Sequence, residues 1–214
     1  MIRDPFKEYP VSVSYQNIRD KLDTGDIVIF GGQYRMSKMI RLVTRFPASH
    51  VALIIREDNR NSFIEASEGD MYPEREGVII SQFSNSIPFY KGDIWIARLN
   101  ADIRERANIE AMKLFLKEQV GKGYDYKNMP KAGFDLLDPI SSITRSEENS
   151  SQMFCSELVA GGLKAAGILP NSINTSEVSP ADIIKYKIFE STYYQIKAFD
   201  YKAIKLPGFN TVTV

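Results

Sequence analysis

Residues 50–66 read HVALIIREDNRNSFIEA, and this stretch decides how the middle of the chain folds. An apolar run begins at His50, a polar segment rich in Asp and Asn follows, and a second run ends at Ala66. Two such runs on either side of turn-forming residues indicate a β-hairpin. Antiparallel pairing across the turn at 58–61 would bring His50 and Glu65 to the same end of that hairpin.

Further elements are predicted on both sides of the hairpin by the same reading of apolar patterns. Additional strands are predicted over residues 27–30, 77–81, 93–99 and 194–199. Helices are predicted over residues 4–22, 35–45 and 101–120, near Cys155, and after Ser179. The strands outnumber the helices and cluster between the two longer helices, which predicts an α+β fold.

The composition limits both the architecture and the chemistry. The 214 residues are 43% hydrophobic and contain no repeat or linker, so we predict one domain over residues 1–214, with 1–22 as an N-terminal helical extension. Lys plus Arg and Asp plus Glu both total 27, which argues against a nucleic-acid partner. One cysteine and one histidine exclude an internal disulfide and a Cys/His zinc cluster. We therefore expect no metal and no cofactor.

The ends of the chain and its apolar segments bear on localisation. The first residues contain no apolar stretch of the signal-peptide type, and no segment reaches the roughly 20 apolar residues that cross a bilayer. We therefore expect a soluble, cytoplasmic protein. Nothing in the sequence indicates an obligate protein partner.

The helix predicted from Arg35 to Arg45 is amphipathic with a basic face. The apolar side carries Met36, Met39, Ile40 and Val43, and the basic side carries Arg35, Lys38, Arg41 and Arg45. The basic side has two interpretations. It is either a solvated face over a buried stripe or a surface for peripheral contact with anionic lipid or an acidic peptide.

The only cysteine and the only histidine are the candidate catalytic residues. Cys155 stands at the predicted first turn of a helix, where the helix dipole favours the nucleophilic thiolate. The alternatives are a packed, buried cysteine and a histidine that merely caps a strand. Thiolate catalysis needs an imidazole within hydrogen-bond reach. We therefore predict that Cys155 and His50 form a pair in a partly exposed cleft.

A third polar group is needed to orient the imidazole. Glu65 is the leading candidate, because the hairpin brings its carboxylate towards His50. Glu57 and Glu68 are the competing carboxylates, and an exposed salt bridge is the alternative role for Glu65.

Several segments, taken in their order along the chain, resemble the circularly permuted NlpC/P60 cysteine hydrolases of the YiiX/YebB-like group. They are SHVA around His50, FIEAS around Glu65, GYDY at residues 123–126 and FCSELV around Cys155. Residues 22–28, LDTGDIV, are similar to the Leu-x-x-Gly-Asp segment that opens a strand in that family. The resemblance covers roughly residues 20–200. In the ordinary family order the cysteine precedes the histidine, whereas here it follows.

This resemblance implies a permuted papain-like fold, with a small antiparallel sheet or barrel packed against helices. It also implies that Tyr124 lines the site beside the nucleophile and helps to bind the oxyanion or the substrate, the alternative being a core aromatic. The backbone N–H of Cys155 is the other oxyanion donor that we expect.

The residues and the resemblance together predict an amide hydrolase that uses a Cys155–His50–Glu65 triad and an acyl-enzyme. The resemblance implies cell-wall-type (peptidoglycan) peptides or small amino-acid amides as substrates. A deacylase or acyltransferase acting on lipids or acyl-amino acids is one alternative. A non-catalytic binding module on the same fold is the other.

Overall fold

A computed structural model describes residues 9–68, 76–122 and 150–214. Its strands are β1 (Val11–Ser12), β2 (Ile27–Gly32), β3 (His50–Glu57), β4 (Arg60–Glu68), β5 (Glu76–Gln82), β6 (Gly92–Leu99) and β7 (Phe189–Lys197). They form one seven-stranded sheet in the order β1-β7-β6-β2-β3-β4-β5. The sheet is mixed, because β1 runs parallel to β7 whereas every other pair of neighbouring strands is antiparallel.

Helices complete the α+β architecture that the sequence predicts. They are α1 (Tyr15–Ile18), α2 (Arg35–Thr44), α3 (Phe83–Ser86), α4 (Ala101–Arg106), α5 (Ile109–Gln119), α6 (Ser150–Ala165) and α7 (Pro180–Lys185). The longest helix, α6, packs against β3 and β4 and also contacts α5 and α7. The expectation of a small antiparallel sheet or a barrel is wrong for the described residues, because their sheet is mixed, has seven strands and remains open.

The helix predicted over residues 101–120 is divided in two. The side-chain oxygen of Asn108 accepts a hydrogen bond from the backbone N–H of Ala111 and caps a new helix there. Asn is among the residues most favoured at this position. Met112 and Leu116 of α5 are buried, whereas α4 is a separate short helix with no buried residue.

The predicted N-terminal helical extension is also different in the structure. Its described part contains strand β1, helix α1 and a 3-10 turn over Arg19–Lys21. Ile18 and Leu22 are buried in an apolar cluster of the sheet. This segment is therefore packed into the fold, and residues 1–8 lie outside the described residues.

Strand β3 is buried on both of its faces. Val51, Leu53 and Ile55 lie in the apolar cluster under α6, and Ala52 and Ile54 lie in the cluster on the opposite face. Side chains alternate between the two faces of a strand. Burial of both faces explains why this strand reads as a continuous apolar run and not as an alternation of apolar and polar residues.

A buried carboxylate fixes the turn that leads into β2. Asp26 accepts hydrogen bonds from the N–H groups of Asp23 at 2.9 Å and Leu99 at 2.8 Å. It also forms an ion pair with the guanidinium of Arg104. Gly25 precedes it with φ 94°, a left-handed backbone that favours glycine. The Gly-Asp pair thus joins the start of β2 to the end of β6 and to α4.

Helix α6 approaches the sheet closely because a glycine lies at the contact. A Cβ atom at Gly162 would lie 2.7 Å from Cδ1 of Leu53 and 3.3 Å from Cδ2 of Leu116. The first distance is shorter than a van der Waals contact, so a larger residue would displace the Leu53 side chain or α6 itself. Cys155 lies about two turns before Gly162 on the same side of the helix. The glycine therefore also sets how deeply Cys155 is seated.

We expect Gly162→Val to lower the free energy of unfolding by about 1–3 kcal/mol, because its side chain overpacks the contact between α6 and β3. Urea denaturation followed by circular dichroism measures this change. Leu114→Val is the matched control, since Leu114 is 64% exposed on α5 and its substitution should cost less than about 0.5 kcal/mol. Equal losses in the two variants would contradict the close approach.

Candidate active site

The β3–β4 hairpin places His50 beside Glu65. Leu53 pairs with Ile64 in the antiparallel ladder. Glu65 is therefore opposite Ala52, and His50 lies two residues from Ala52 on the same face of the sheet. Nε2 of His50 lies 3.0 Å from Oε2 of Glu65. The contact that the hairpin predicts between these two residues is present in the structure.

Ser81 holds the other oxygen of that carboxylate, and the sequence analysis did not single it out. Its Oγ donates a hydrogen bond to Oε1 of Glu65 at 2.6 Å, and both residues are buried. Ile79 of β5 pairs with Glu65 of β4, so Ser81 lies two residues further along on the same face. The signal in the sequence was a hydroxyl at the end of an apolar run, GVIIS, that pairs with the Glu65 strand.

Cys155 lies on the side of α6 that faces the sheet. Val159, Gly162 and Ala166 follow it at helical spacing and are buried with it. Cys155 is 0% exposed, so the prediction of a partly exposed thiol in a cleft is wrong. The reason is that α6 packs this stripe directly against β3 and β4.

The thiol nevertheless contacts the imidazole. Cys155 and His50 are joined by a side-chain hydrogen bond. Since Nε2 of His50 is taken by Glu65, Nδ1 is the ring nitrogen left for the sulfur. The described residues thus contain a continuous chain of contacts from Ser81 through Glu65 and His50 to Cys155.

Helix α6 begins earlier than predicted, which changes the backbone around Cys155. It spans Ser150–Ala165, so Cys155 lies in its second turn and not in its first. Only the first four N–H groups of a helix lack an intrahelical partner, and the dipole effect declines within the first turn. The expectation that the Cys155 N–H serves as an oxyanion donor is therefore wrong for this structure.

The charge of His50 is controlled by its two partners. Burial by itself would lower the pKa of His50, because a buried imidazolium loses its hydration. Negative charge on Cys155, the hydrogen bonds to Cys155 and Glu65, and the charge of Glu65 outweigh this and raise the pKa of His50 to about 10. The ring also lies 5.4 Å, between centroids, from the apolar ring of Phe30. The raised pKa means that the imidazole of His50 keeps its proton at neutral pH.

The remaining predicted site residues are not joined to this chain of contacts. Glu57 lies at the turn end of the hairpin and forms an ion pair with Lys117 at 2.5 Å. The side chain of Glu68 and the whole of Tyr124 lie outside the described residues. The role of Tyr124 stays a prediction that rests on the resemblance.

A groove of about 580 Å³ lies on the other side of α6. Glu157, Leu158, Gly161 and Lys164 contribute to its lining, and they point away from the stripe that carries Cys155. Burial raises the pKa of the Glu157 carboxyl in this groove. Neither Cys155 nor His50 lines the groove, so it does not give access to the thiol.

No group of three or more His, Cys, Asp or Glu residues among residues 9–68, 76–122 and 150–214 is placed to hold a metal ion. Within the same ranges, every helix is too short or too polar to traverse a bilayer.

No protein-family model and no curated protein sequence matches this chain. A solved structure resembles it. This is the crystal structure of metalloprotein yiiX from Escherichia coli O157:H7, DUF1105, with 21% sequence identity and a TM-score of 0.43. The match covers 67% of this chain and 66% of that chain, so it spans just under two thirds of the length of that protein. The residues of the site are therefore interpreted from their own contacts.

His50 is the only histidine, so its ring protons give an isolated signal in a proton NMR titration. We expect the pKa of His50 to be strongly raised in the wild type. It should fall in Cys155→Ala, which removes the sulfur anion, and in Glu65→Gln, which removes the carboxylate charge. Glu57→Gln is the control, because Glu57 pairs with Lys117, and it should leave the titration unchanged. A wild-type pKa near 6.5 would contradict the arrangement.

Ser81 should act as a positioning residue for Glu65. Ser81→Ala removes the donor to Oε1, so the carboxylate loses one of its two fixed partners, and the pKa of His50 should fall by less than in Glu65→Gln. Ser81→Thr keeps the hydroxyl and should restore most of the wild-type value. If Ser81→Ala titrated like the wild type, the hydroxyl would have only a structural role.

Proposed function

We propose that this chain is a cysteine hydrolase in which Cys155 is the nucleophile, His50 the general base and Glu65 the group that orients His50. The observation that carries the proposal is that His50 contacts both Glu65 and Cys155. A nucleophile joined to a base, and a base joined to an orienting group, is the arrangement that activates a weak nucleophile. The order of these residues along the chain also supports a permuted papain-like fold, which we include in the proposal.

The reaction follows from the protonation state of the pair. The cycle starts with the proton of Cys155 already on His50, in keeping with the raised pKa of His50, and the thiolate attacks a substrate carbonyl carbon. The carbon–nitrogen bond then breaks, the amine leaves with the proton from His50, and a thioester to Cys155 remains. Water gives its proton to His50 and its oxygen to the thioester carbon, which releases the acid and regenerates the thiolate beside the protonated imidazole. Glu65 stays ionised and stabilises the imidazolium.

The burial of Cys155 adds a requirement to this proposal. A carbonyl carbon must come within bonding distance of a sulfur that is 0% exposed, so the site has to open for substrate to enter. The same burial favours a second candidate, a binding module in which Cys155 is a packed residue. The two candidates differ in whether the thiol reacts in the folded protein.

We propose amides of the cell-wall-peptide or amino-acid type, and keep acylated lipids or acyl-amino acids as the alternative. Both classes pass through the same thioester on Cys155. A comparison of their turnover therefore distinguishes the substrate without altering the roles of Cys155, His50 and Glu65.

Cys155 is the only cysteine, so alkylation of the native protein reports on one site. We expect iodoacetamide to label the wild type near pH 6, because a neighbouring imidazolium stabilises the thiolate. His50→Ala should react more slowly at that pH and recover only towards alkaline pH. Identical pH profiles for the two proteins, or labelling of the wild type only in denaturant, would favour the packed-cysteine candidate.

The acyl-enzyme is tested by intact-mass spectrometry with p-nitrophenyl esters of a short and a long carboxylic acid. The wild type should gain the mass of the acyl group, and Cys155→Ala should not. Glu65→Gln should keep the fold and lower turnover by about 10-fold or more, since the imidazolium loses its support. Glu57→Gln should retain wild-type turnover. Unchanged turnover in Glu65→Gln would contradict the proposed role of Glu65.

A further inference from the structure

The charge of this protein is unevenly distributed along the chain. The net formal charge is zero, yet residues 27–56 contain no Asp or Glu and five Lys or Arg residues. Four of these cations belong to α2 and the residue that follows it, Arg45. A cationic segment without acidic neighbours in sequence is a candidate for contact with an anionic partner.

The inner side of α2 is occupied by contacts to the rest of the fold. Ile40 is buried. Arg41 donates from Nη1 to the carbonyl oxygens of Gly31 at 3.3 Å and Gly32 at 3.1 Å. Arg41 therefore fixes α2 to the end of β2 and does not belong to an open basic face.

The outer side of α2 combines cations with an exposed apolar residue. Arg35, Lys38 and Arg45 are exposed, and Leu42 is 78% exposed. At 100° per residue Arg35, Lys38 and Leu42 fall within about a sixth of a turn, and Arg45 follows the last residue of α2 with φ 50°. The ion pairs of the described residues all involve other cations. We call these four residues the α2 outer face.

A further cation lies at the end of this helix. Nζ of Lys185, from α7, lies 5.7 Å from the ring centroid of Phe46, and Phe46 follows directly after the α2 outer face in sequence. Lys185 is partly exposed, whereas Phe46 is buried.

We propose that the α2 outer face docks on an anionic phospholipid surface. Phosphate groups would pair with Arg35, Lys38 and Arg45, and Leu42 would enter the boundary between headgroups and acyl chains. Leu42 favours lipid over an acidic protein. A partner that binds only through charge would leave this exposed apolar side chain in water. The docking does not depend on the proposed hydrolase activity.

The contact made by Arg41 relates this face to the candidate site. Gly31 and Gly32 follow Phe30 on β2, and Phe30 pairs with His50 on β3. The α2 outer face therefore lies on the helix that is fixed beside the His50 end of the sheet. Docking would bring that end of the sheet close to the lipid surface.

The test is co-sedimentation with vesicles of phosphatidylcholine alone and with 30% phosphatidylglycerol. We expect binding only to the anionic vesicles and weaker binding at high salt. Arg35→Gln with Lys38→Gln should reduce the partition constant about 25-fold, at roughly fivefold for each cation. The matched control is Lys21→Gln with Arg106→Gln, which removes the same charge from exposed positions elsewhere and should leave binding within about twofold.

Leu42 separates lipid from other anions. Leu42→Ser should weaken binding to anionic vesicles and leave binding to soluble poly-glutamate unchanged, while Leu114→Ser, at a 64% exposed leucine of α5, should change neither. Vesicle binding should persist in Cys155→Ala, so that loss of catalysis and loss of docking are distinguished. Equal binding to both vesicle types, no effect of the Arg35 and Lys38 changes, or tighter binding to poly-glutamate than to vesicles would overturn the proposal.

Discussion

The approach of α6 to β3 at Gly162 is the contact on which the candidate site depends. A Cβ atom at position 162 would collide with the side chain of Leu53 at this separation. Cys155 lies on the same stripe of α6, so the sulfur is carried to the sheet by the packing of the whole helix. The hydrogen bond between Cys155 and His50 is in this sense a consequence of core packing.

The electrostatic arrangement follows from three antiparallel strands that lie side by side. β3, β4 and β5 contribute His50, Glu65 and Ser81, and each residue contacts the next. The carboxylate uses one oxygen for the imidazole and the other for the hydroxyl, so its orientation is fixed from both sides. A partly buried imidazole ordinarily binds its proton less tightly. Here the interactions with Cys155 and Glu65 reverse that preference, which makes the charge state of His50 a property of the group of residues.

Local patterns in the sequence were sufficient for the elements that are regular and self-contained. The hairpin and the position of Glu65 follow from two apolar runs and the turn between them, since pairing across a short turn leaves little freedom of register. Helix α2 and the strands β2 and β6 also follow from short apolar patterns.

Other features depended on information that local patterns do not contain. Ser81 joins the site through the pairing of β4 with β5, and the segment between those strands gives no short turn from which to infer the register. The start of α6 differs from the prediction because Ser150 and Ser151 are both residues favoured at an N-cap, so local preference does not select a single first turn. The burial of Cys155 depends on the helix–sheet contact, which no residue near Cys155 in sequence reveals.

Unequal sequence separations within the site also imply an order of assembly. His50, Glu65 and Ser81 are separated by 15 and 16 residues, so they close short loops, whereas Cys155 lies more than a hundred residues beyond His50. Loop-closure entropy grows with separation, and local contacts tend to form first during folding. During synthesis the hairpins can therefore pair while α6 is still absent. The thiol gains its imidazole partner only when the last large helix reaches the sheet, so a truncated or partly folded chain would carry an unactivated sulfur.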